Sequence, residues 1–270
     1  VLDYVFIFIL KWGMFGAALA TSLGYIVGAV MILAYLFHPE RILHVCRVKL
    51  SKKSLYLTIR NVGYMCRLGF SSFLCETAIA TMMFVGNYVF IRYLGEDGVA
   101  AYSIACYFFP IVFMVYNAIA QSAQPILSYN YGAKCTARVR ETFRLALTTA
   151  ILCGAGVFLL TWIFSHQIVG MFLDSSYPAY NIAVKGLPLF ASGFVFFGIN
   201  IVSIGYFQSL ERDCPAMIIT LLRGFALILL CFWILPIIWG SWGIWLAVPM
   251  SELLTFLFVL VIYWLENRRN

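Results

Sequence analysis

Seven stretches of this chain, at about 15–37, 65–94, 99–128, 142–164, 182–207, 215–239 and 242–265, run for ~20 or more residues with few charges. An α-helix of that length crosses a hydrocarbon core of about 30 Å. In such a core every backbone N–H and C=O must be paired within the protein, which leaves helices or closed barrels. Barrel strands would show apolar–polar alternation over ~10-residue segments, and no such pattern occurs here. The expected fold is therefore an all-α polytopic membrane protein. Residues 1–10 read as the tail of one further span, giving one partial and seven full transmembrane helices. The chain opens on Val1 inside an apolar segment, with no initiator Met and no signal-peptide n-region, so a fragment lacking its N-terminal part is expected. Composition agrees: 63% of the residues are hydrophobic and 11% charged, against roughly 25% charged in a soluble domain.

The basic residues fix the orientation. If alternate loops share a side, one set comprises the 38–63 linker, the 129–141 loop, the 208–214 turn and the C-terminus. That set and its flanks hold Arg41, Arg47, Lys49, Lys52, Lys53, Arg60, Arg67, Lys134, Arg138, Arg140, Arg144, Arg212, Arg268 and Arg269, which is 14 of the 18 Lys and Arg. The other set holds Lys11, Arg92 and Lys185, and Arg223 lies within a span. The Lys/Arg-rich side is the cytoplasmic one. The formal charge of +7 therefore sits in short loops between spans and does not indicate a nucleic-acid partner. Apolar residues interleaved through the 38–63 linker suggest that part of it lies along the membrane surface.

The eight cysteines lie mostly in apolar segments without a CxxC pair or a Cys/His cluster, so no disulfide or zinc framework is expected. No HExxH, GxSxG, P-loop or paired-carboxylate motif occurs, and the three histidines are scattered over loops. These absences speak against an enzyme and against an ATP-driven pump, and no cofactor is expected. One internal echo stands out. Gly13-x-x-Gly16-x-x-Leu19-Ala20 and Gly240-x-x-Gly243-x-x-Leu246-Ala247 both open a span from the non-cytoplasmic side, six spans apart. A six-helix repeat unit follows if the echo is structural, and internal repeats mark secondary transporters.

Charged and polar residues inside spans are the candidate site. Glu76 lies ~10 residues past the cytoplasmic edge of its span, roughly 15 Å deep. A charge there costs at least ~2.5–3.5 kcal/mol unless it is paired, hydrated or protonated. Ser72, Met83 and Asn87 share its helical face, a pattern suited to binding cations or protons. The plainer reading is a carboxylate fixed by a neighbouring helix. Asp3 is embedded in an apolar segment, near a helix bearing Thr21 and Ser22; it reads as a coupling residue or as a boundary residue. Thr21 reads as a ligand or as a hydroxyl bonded to its own helix backbone. Asn117, Gln121 and Gln124 line one face of the 99–128 span, which Tyr102, Tyr107 and Tyr116 also punctuate. Arg223 and Glu252 lie at similar depths in the last two spans and are expected to form a structural ion pair.

The stretch Ala120–Lys134, AQSAQPILSYNYGAK, resembles the segment after the eighth helix of multidrug and toxic-compound extrusion (MATE) transporters. Leu2-Asp3-Tyr4-Val5-Phe6-Ile7 followed by Gly13-Met14-Phe15-Gly16 is similar to the family's fifth and sixth helices. Gly98-Val99-Ala100-Ala101-Tyr102-Ser103 is similar to the start of its eighth, and Trp242-Gly243-Ile244-Trp245-Leu246-Ala247 to the start of its twelfth. The resemblance covers the whole chain in order.

It implies a second half of a twelve-helix transporter built of two six-helix lobes. Residues 1–37 would end the N-lobe, 38–64 form a basic cytoplasmic linker, 65–265 the six-helix C-lobe and 266–270 a cytoplasmic tail. It implies H⁺- or Na⁺-coupled antiport of drugs by alternating access, in a bacterial inner membrane, by a monomer acting on cationic, amphipathic small molecules. Asp3 and Thr21 match residues of the family's N-lobe cation site, and Glu76 matches a carboxylate of the C-lobe. The sodium-binding branch has an Asp where this chain has Asn200 and a Tyr where it has Phe196, which weakens a sodium site in the C-lobe and favours coupling through the N-lobe, with Glu76 serving proton exchange or cationic-substrate binding. Asn200 remains a cavity candidate. A flippase for lipid-linked saccharides from the same superfamily is the alternative, and would favour a basic cavity. An integral-membrane transferase would need clustered carboxylates or histidines.

Overall fold

The computed structural model describes residues 2–37 and 51–267. Every element in it is helical: α1 Leu2–Tyr4, a π-helical turn Val5–Ile9, α2 Gly13–Leu36, α3 Lys52–Gly132, α4 Thr136–Ile163, α5 Ser165–Gly170, α6 Pro178–Ala191, α7 Phe194–Ser209, α8 Asp213–Leu221, a second π turn Leu222–Ala226, α9 Leu227–Trp239 and α10 Ser241–Asn267. Five helices are long and apolar enough to cross a membrane, six if the bent pair α6–α7 counts as one span. One of the five, Ser72–Gly132, has 61 residues, about three times what a single crossing needs. It is broken at Gly95, which takes φ 66° and ψ −158°, outside the helical region. Two arms result, 52–94 and 96–132, which brings the helix count close to that expected from the sequence. The protein is a multi-pass, all-α membrane protein.

Two compact units are distinguished, Val1–Asn61 and Val62–Asn270. In the first, the π turn closes with the Leu10 amide donating to the Val5 carbonyl at 2.9 Å and the Trp12 amide to the Phe6 carbonyl at 3.0 Å. Phe6 and Trp12 stack at 5.5 Å. The repeated Gly-x-x-Gly motif has a common geometry. Gly13 and Gly240 take φ +54° and +56°, a region in which a Cβ is strained. One turn later, a Cβ on Gly16 would press on the Phe6 backbone, and one on Gly243 would collide with the Leu235 carbonyl. In each copy the first glycine reverses the chain, and the second lets the new helix lie against the end of the previous one.

The second unit packs around a chain of aromatic rings. Phe90 and Tyr102 stack at 4.3 Å, Trp245 meets Phe90 edge-on at 4.8 Å, and Phe109 stacks on Phe197 at 4.8 Å. The tyrosine hydroxyls here serve packing. Tyr102 donates to the Met82 carbonyl (3.3 Å) and Tyr116 to the Phe194 carbonyl (2.8 Å), both from fully buried positions. Tyr116 is held between two glycines: a Cβ on Gly198 would sit 2.7 Å from its ring and one on Gly154 2.8 Å from its hydroxyl. The ring has no space to retreat, so Gly198→Ala is expected to cost ~1–3 kcal/mol by overpacking. The measurement is the unfolding midpoint of the detergent-purified protein, with a fall of several degrees expected; an unchanged midpoint would contradict this packing.

Several boundaries differ from the sequence reading, for physical reasons. Spans were delimited by charge, but backbone hydrogen bonding continues past the interface. The arm 96–132 therefore takes up the start of the 129–141 loop and α4 its end, so that only 133–135 separate the two helices. The polar linker is helical from Lys52; its residues 38–50 lie outside the described residues. The 182–207 span bends by 42° between α6 and α7. Pro188 lacks the N–H of a regular helix, and at the bend Ser192 Oγ donates to the Leu189 carbonyl at 2.6 Å. Gly193 at the bend lets α10 approach, since a Cβ there would be 2.7 Å from the Cα of Pro249. In the loop before α6, the Ser176 amide donates to Asp174 Oδ1 at 3.0 Å, a bond that holds the Asp174 carboxyl below the usual carboxylate range.

Candidate functional site

Two arms of α3 and helix α7 enclose a cavity of about 160 Å³. The first arm contributes Ser72, Cys75 and Glu76, and the second Phe113, Asn117, Ala120, Gln121 and Gln124. From α7 come Ile201, Ile204, Gly205 and Gln208. Each set keeps three- and four-residue spacing, so each is one face of its helix. Ala120 and Gly205 let the second arm and α7 approach closely, for a Cβ at Gly205 would meet that of Ala120 at 3.0 Å. Polar side chains then bridge the three segments. The Gln124 amide donates to Gln208 Oε1 at 3.4 Å, and the Gln208 amide donates to Ser72 Oγ at 3.4 Å.

Glu76 is exposed and has no hydrogen-bond or ion-pair partner among the described residues. It is the one carboxylate in the lining, and no Lys or Arg joins it. A drug-sized ligand fills ~300–1,000 Å³, so this cavity has room for a cation, for water, or for one end of a larger molecule. Its chemistry is acceptor-rich: a carboxylate, a hydroxyl and four side-chain amides.

A second cluster is wholly buried. Arg223 Nε donates to Glu252 Oε1 at 2.8 Å, with the two side chains 3% and 5% exposed. Asn200 donates from Nδ2 to Glu252 Oε2 at 2.8 Å and to the Glu252 carbonyl at 2.9 Å. The Arg223 guanidinium lies 4.6 Å over the Phe197 ring, and its Nη1 reaches Cys75 Sγ at 3.7 Å. The π turn Leu222–Ala226 carries Arg223, and Gly224 beside it lets Ala78 of α3 close in. An extra residue in a helical turn re-aims the side chains around it.

The structure thus brings Ser72, Glu76, Asn117, Gln121 and Gln124 into one cavity. Met83 packs against the core, and Asn87 is exposed away from that cavity. Asn200 is buried on Glu252 and does not line the cavity. Thr21 Oγ1 donates to the Ala17 carbonyl of its own helix at 3.0 Å. Asp3 lies on α1, and its side chain is outside the described part of the structure. Sequence reasoning missed Gln208, because it falls one residue beyond the span as read. The spacing 201, 204, 205, 208 would have placed it on the cavity face of α7.

Fold and site together define a multi-pass helical membrane protein with an acidic, polar cavity among its helices. The chain belongs to the MatE family, whose model matches residues 72–233. It is 21% identical over 269 residues to the multidrug export protein MepA of Staphylococcus saprophyticus. The corresponding MepA of Staphylococcus aureus is 22% identical over 273 residues. Each alignment covers 99% of this chain, which spans 58% of the length of these curated relatives. Among solved structures, the outward-facing conformation of a multidrug resistance MATE family transporter of the MOP superfamily superposes with a TM-score of 0.83. It is 21% identical, and the match covers 96% of this chain and 58% of that one. A MOP superfamily transporter from Pyrococcus furiosus, described as having a binding pocket of reverse polarity, also gives 0.83 at 20% identity, covering 96% of this chain and 57% of that one. These likenesses establish the fold.

Proposed function

We propose that this chain forms part of a bacterial inner-membrane exporter that couples H⁺ or Na⁺ entry to extrusion of cationic, amphipathic small molecules. The observation that carries the reading is Glu76, an unpartnered carboxylate among amides in a cavity without a basic residue. Such a lining attracts cations and disfavours the anionic headgroups that a saccharide-lipid flippase handles. The multidrug export relatives point the same way. A ligand shifts a two-state equilibrium only through its differential affinity for the two states. The coupling ion, at Asp3 and Thr21 in this reading, and the drug at the Glu76 cavity therefore favour opposite-facing states. The transporter works as a monomer, without a cofactor or catalytic residues, and its C-terminus is cytoplasmic. Arg223 and Glu252 act as structural supports.

The test is ethidium accumulation in efflux-deficient bacteria expressing the complete reading frame that encodes this chain. Lower accumulation than in vector controls is expected, and Asp3→Asn should abolish the difference. Accumulation equal to the vector, with the protein confirmed in the membrane, would sink multidrug export and turn attention to lipid-linked substrates.

A further inference from the structure

Lys185 stands apart from the other basic residues. It lies on α6, seven residues after Pro178, which is roughly 10 Å into the helix from its non-cytoplasmic end. The side chain is exposed, and no carboxylate among the described residues pairs with it. Two cavities adjoin it. One, of about 250 Å³, is walled by Leu94, Ile182, Gly186 and Trp245. The other, of about 420 Å³, is walled by Phe158, Trp162, Pro188 and the hydroxyl-bearing Ser165 and Ser192. Both share Lys185, Leu189 and Trp242.

This is a two-branched, mostly apolar groove with one cation at its junction. Trp162 and Trp242 are exposed and of the residue type that settles at headgroup depth. An unpartnered lysine along a membrane-spanning helix is costly unless it reaches water or finds an anion. A diacyl phospholipid supplies one phosphate and two chains from a single molecule. An anionic headgroup leaves that phosphate uncompensated by an amine of its own.

We propose that this groove binds an anionic phospholipid of the outer leaflet, with its phosphate on the Lys185 ammonium and its acyl chains along the Trp162 and Trp245 walls. The site is independent of the transport reading and lies away from the Glu76 cavity.

The test is native mass spectrometry of the complete protein in detergent, with phosphatidylglycerol or phosphatidylcholine added. Wild type is expected to retain phosphatidylglycerol preferentially. Lys185→Gln should lower that retention about fivefold, the effect of the ~1 kcal/mol that one basic residue contributes toward anionic lipid. Lys185→Arg should keep it, and Lys134→Gln in the opposite loop should match wild type. A parallel readout is the unfolding midpoint, which phosphatidylglycerol should raise in wild type and not in Lys185→Gln. Equal retention of both lipids by wild type, equal retention by Lys185→Gln and wild type, or displacement of the lipid by millimolar inorganic phosphate would each overturn the proposal.

Discussion

Glu252→Leu is expected to lower the unfolding midpoint of the detergent-purified protein by roughly 10 °C, and Arg223→Met added to it should recover most of the loss. The reason is an asymmetry of buried charge. Arg223 and Glu252 are each 4% exposed, so both have lost their hydration. Their 2.8 Å contact, the Asn200 amide on the second carboxylate oxygen and the Phe197 ring under the guanidinium compensate for that loss. Removing Glu252 alone strands a guanidinium in an apolar interior and leaves the Asn200 amide only the backbone carbonyl of residue 252 as acceptor. Breaking such a pair typically costs about 3–5 kcal/mol, whereas replacing both members by apolar groups of similar volume is often near neutral. The double variant still lacks the carboxylate acceptor of Asn200, which keeps only the backbone carbonyl of residue 252, so recovery should be incomplete. Equal losses in the single and double variants would contradict this account, because they would place the cost in packing and not in the uncompensated charge.

The sequence disclosed the part of this fold that the bilayer itself dictates. A hydrocarbon layer demands ~20 apolar residues per helix, so every span was visible as a charge-poor run, and Gly95 and Gly240 marked reversals through their position between runs. Depth was legible too: Arg223 and Glu252 stood at matching depths on adjacent spans, and the structure pairs them at 2.8 Å. Lateral direction was not. One strand of residues shows which positions share a helical face, but not which neighbour that face meets. Ser72, Met83 and Asn87 share the Glu76 face by spacing, yet only Ser72 reaches the cavity, since a straight face 15 residues long outruns a cavity crossed by two other helices. Asn200 illustrates the same limit. The family resemblance made it a cavity candidate, and its partner proved to be Glu252, 52 positions away. The π turn at Leu222–Ala226 and the bend at Gly193 were not read from the sequence, although Pro188 stands before the bend; the approaches of Ala78 to Gly224 and of Pro249 to Gly193 are tertiary contacts that no single helix displays.

The two clusters are linked through consecutive residues of α3. Cys75 touches Arg223 with its sulfur and also lines the cavity, and Glu76 follows it. The buried ion pair therefore touches the turn of helix that presents the Glu76 carboxylate. A cation at about 4 Å from a carboxylate gains ~4 kcal/mol at the effective dielectric near a protein surface. Glu76 is exposed, so screening cuts that figure to ~1 kcal/mol, or about fivefold in occupancy. Glu76→Gln keeps the shape and hydrogen-bonding reach of the side chain and removes the charge. It is expected to reduce ethidium efflux from energised cells about fivefold, while the unfolding midpoint stays near that of wild type because no described residue pairs with the lost charge. Gln208→Ala, which removes a neutral bridge between Gln124 and Ser72, should reduce efflux less. Efflux by Glu76→Gln at the wild-type rate would reduce the carboxylate to a bystander and move the search for the cation to the amide face of Asn117, Gln121 and Gln124. Loss of efflux together with a large fall in midpoint would instead mean that Glu76 supports the helix, which is the structural reading its sequence position left open.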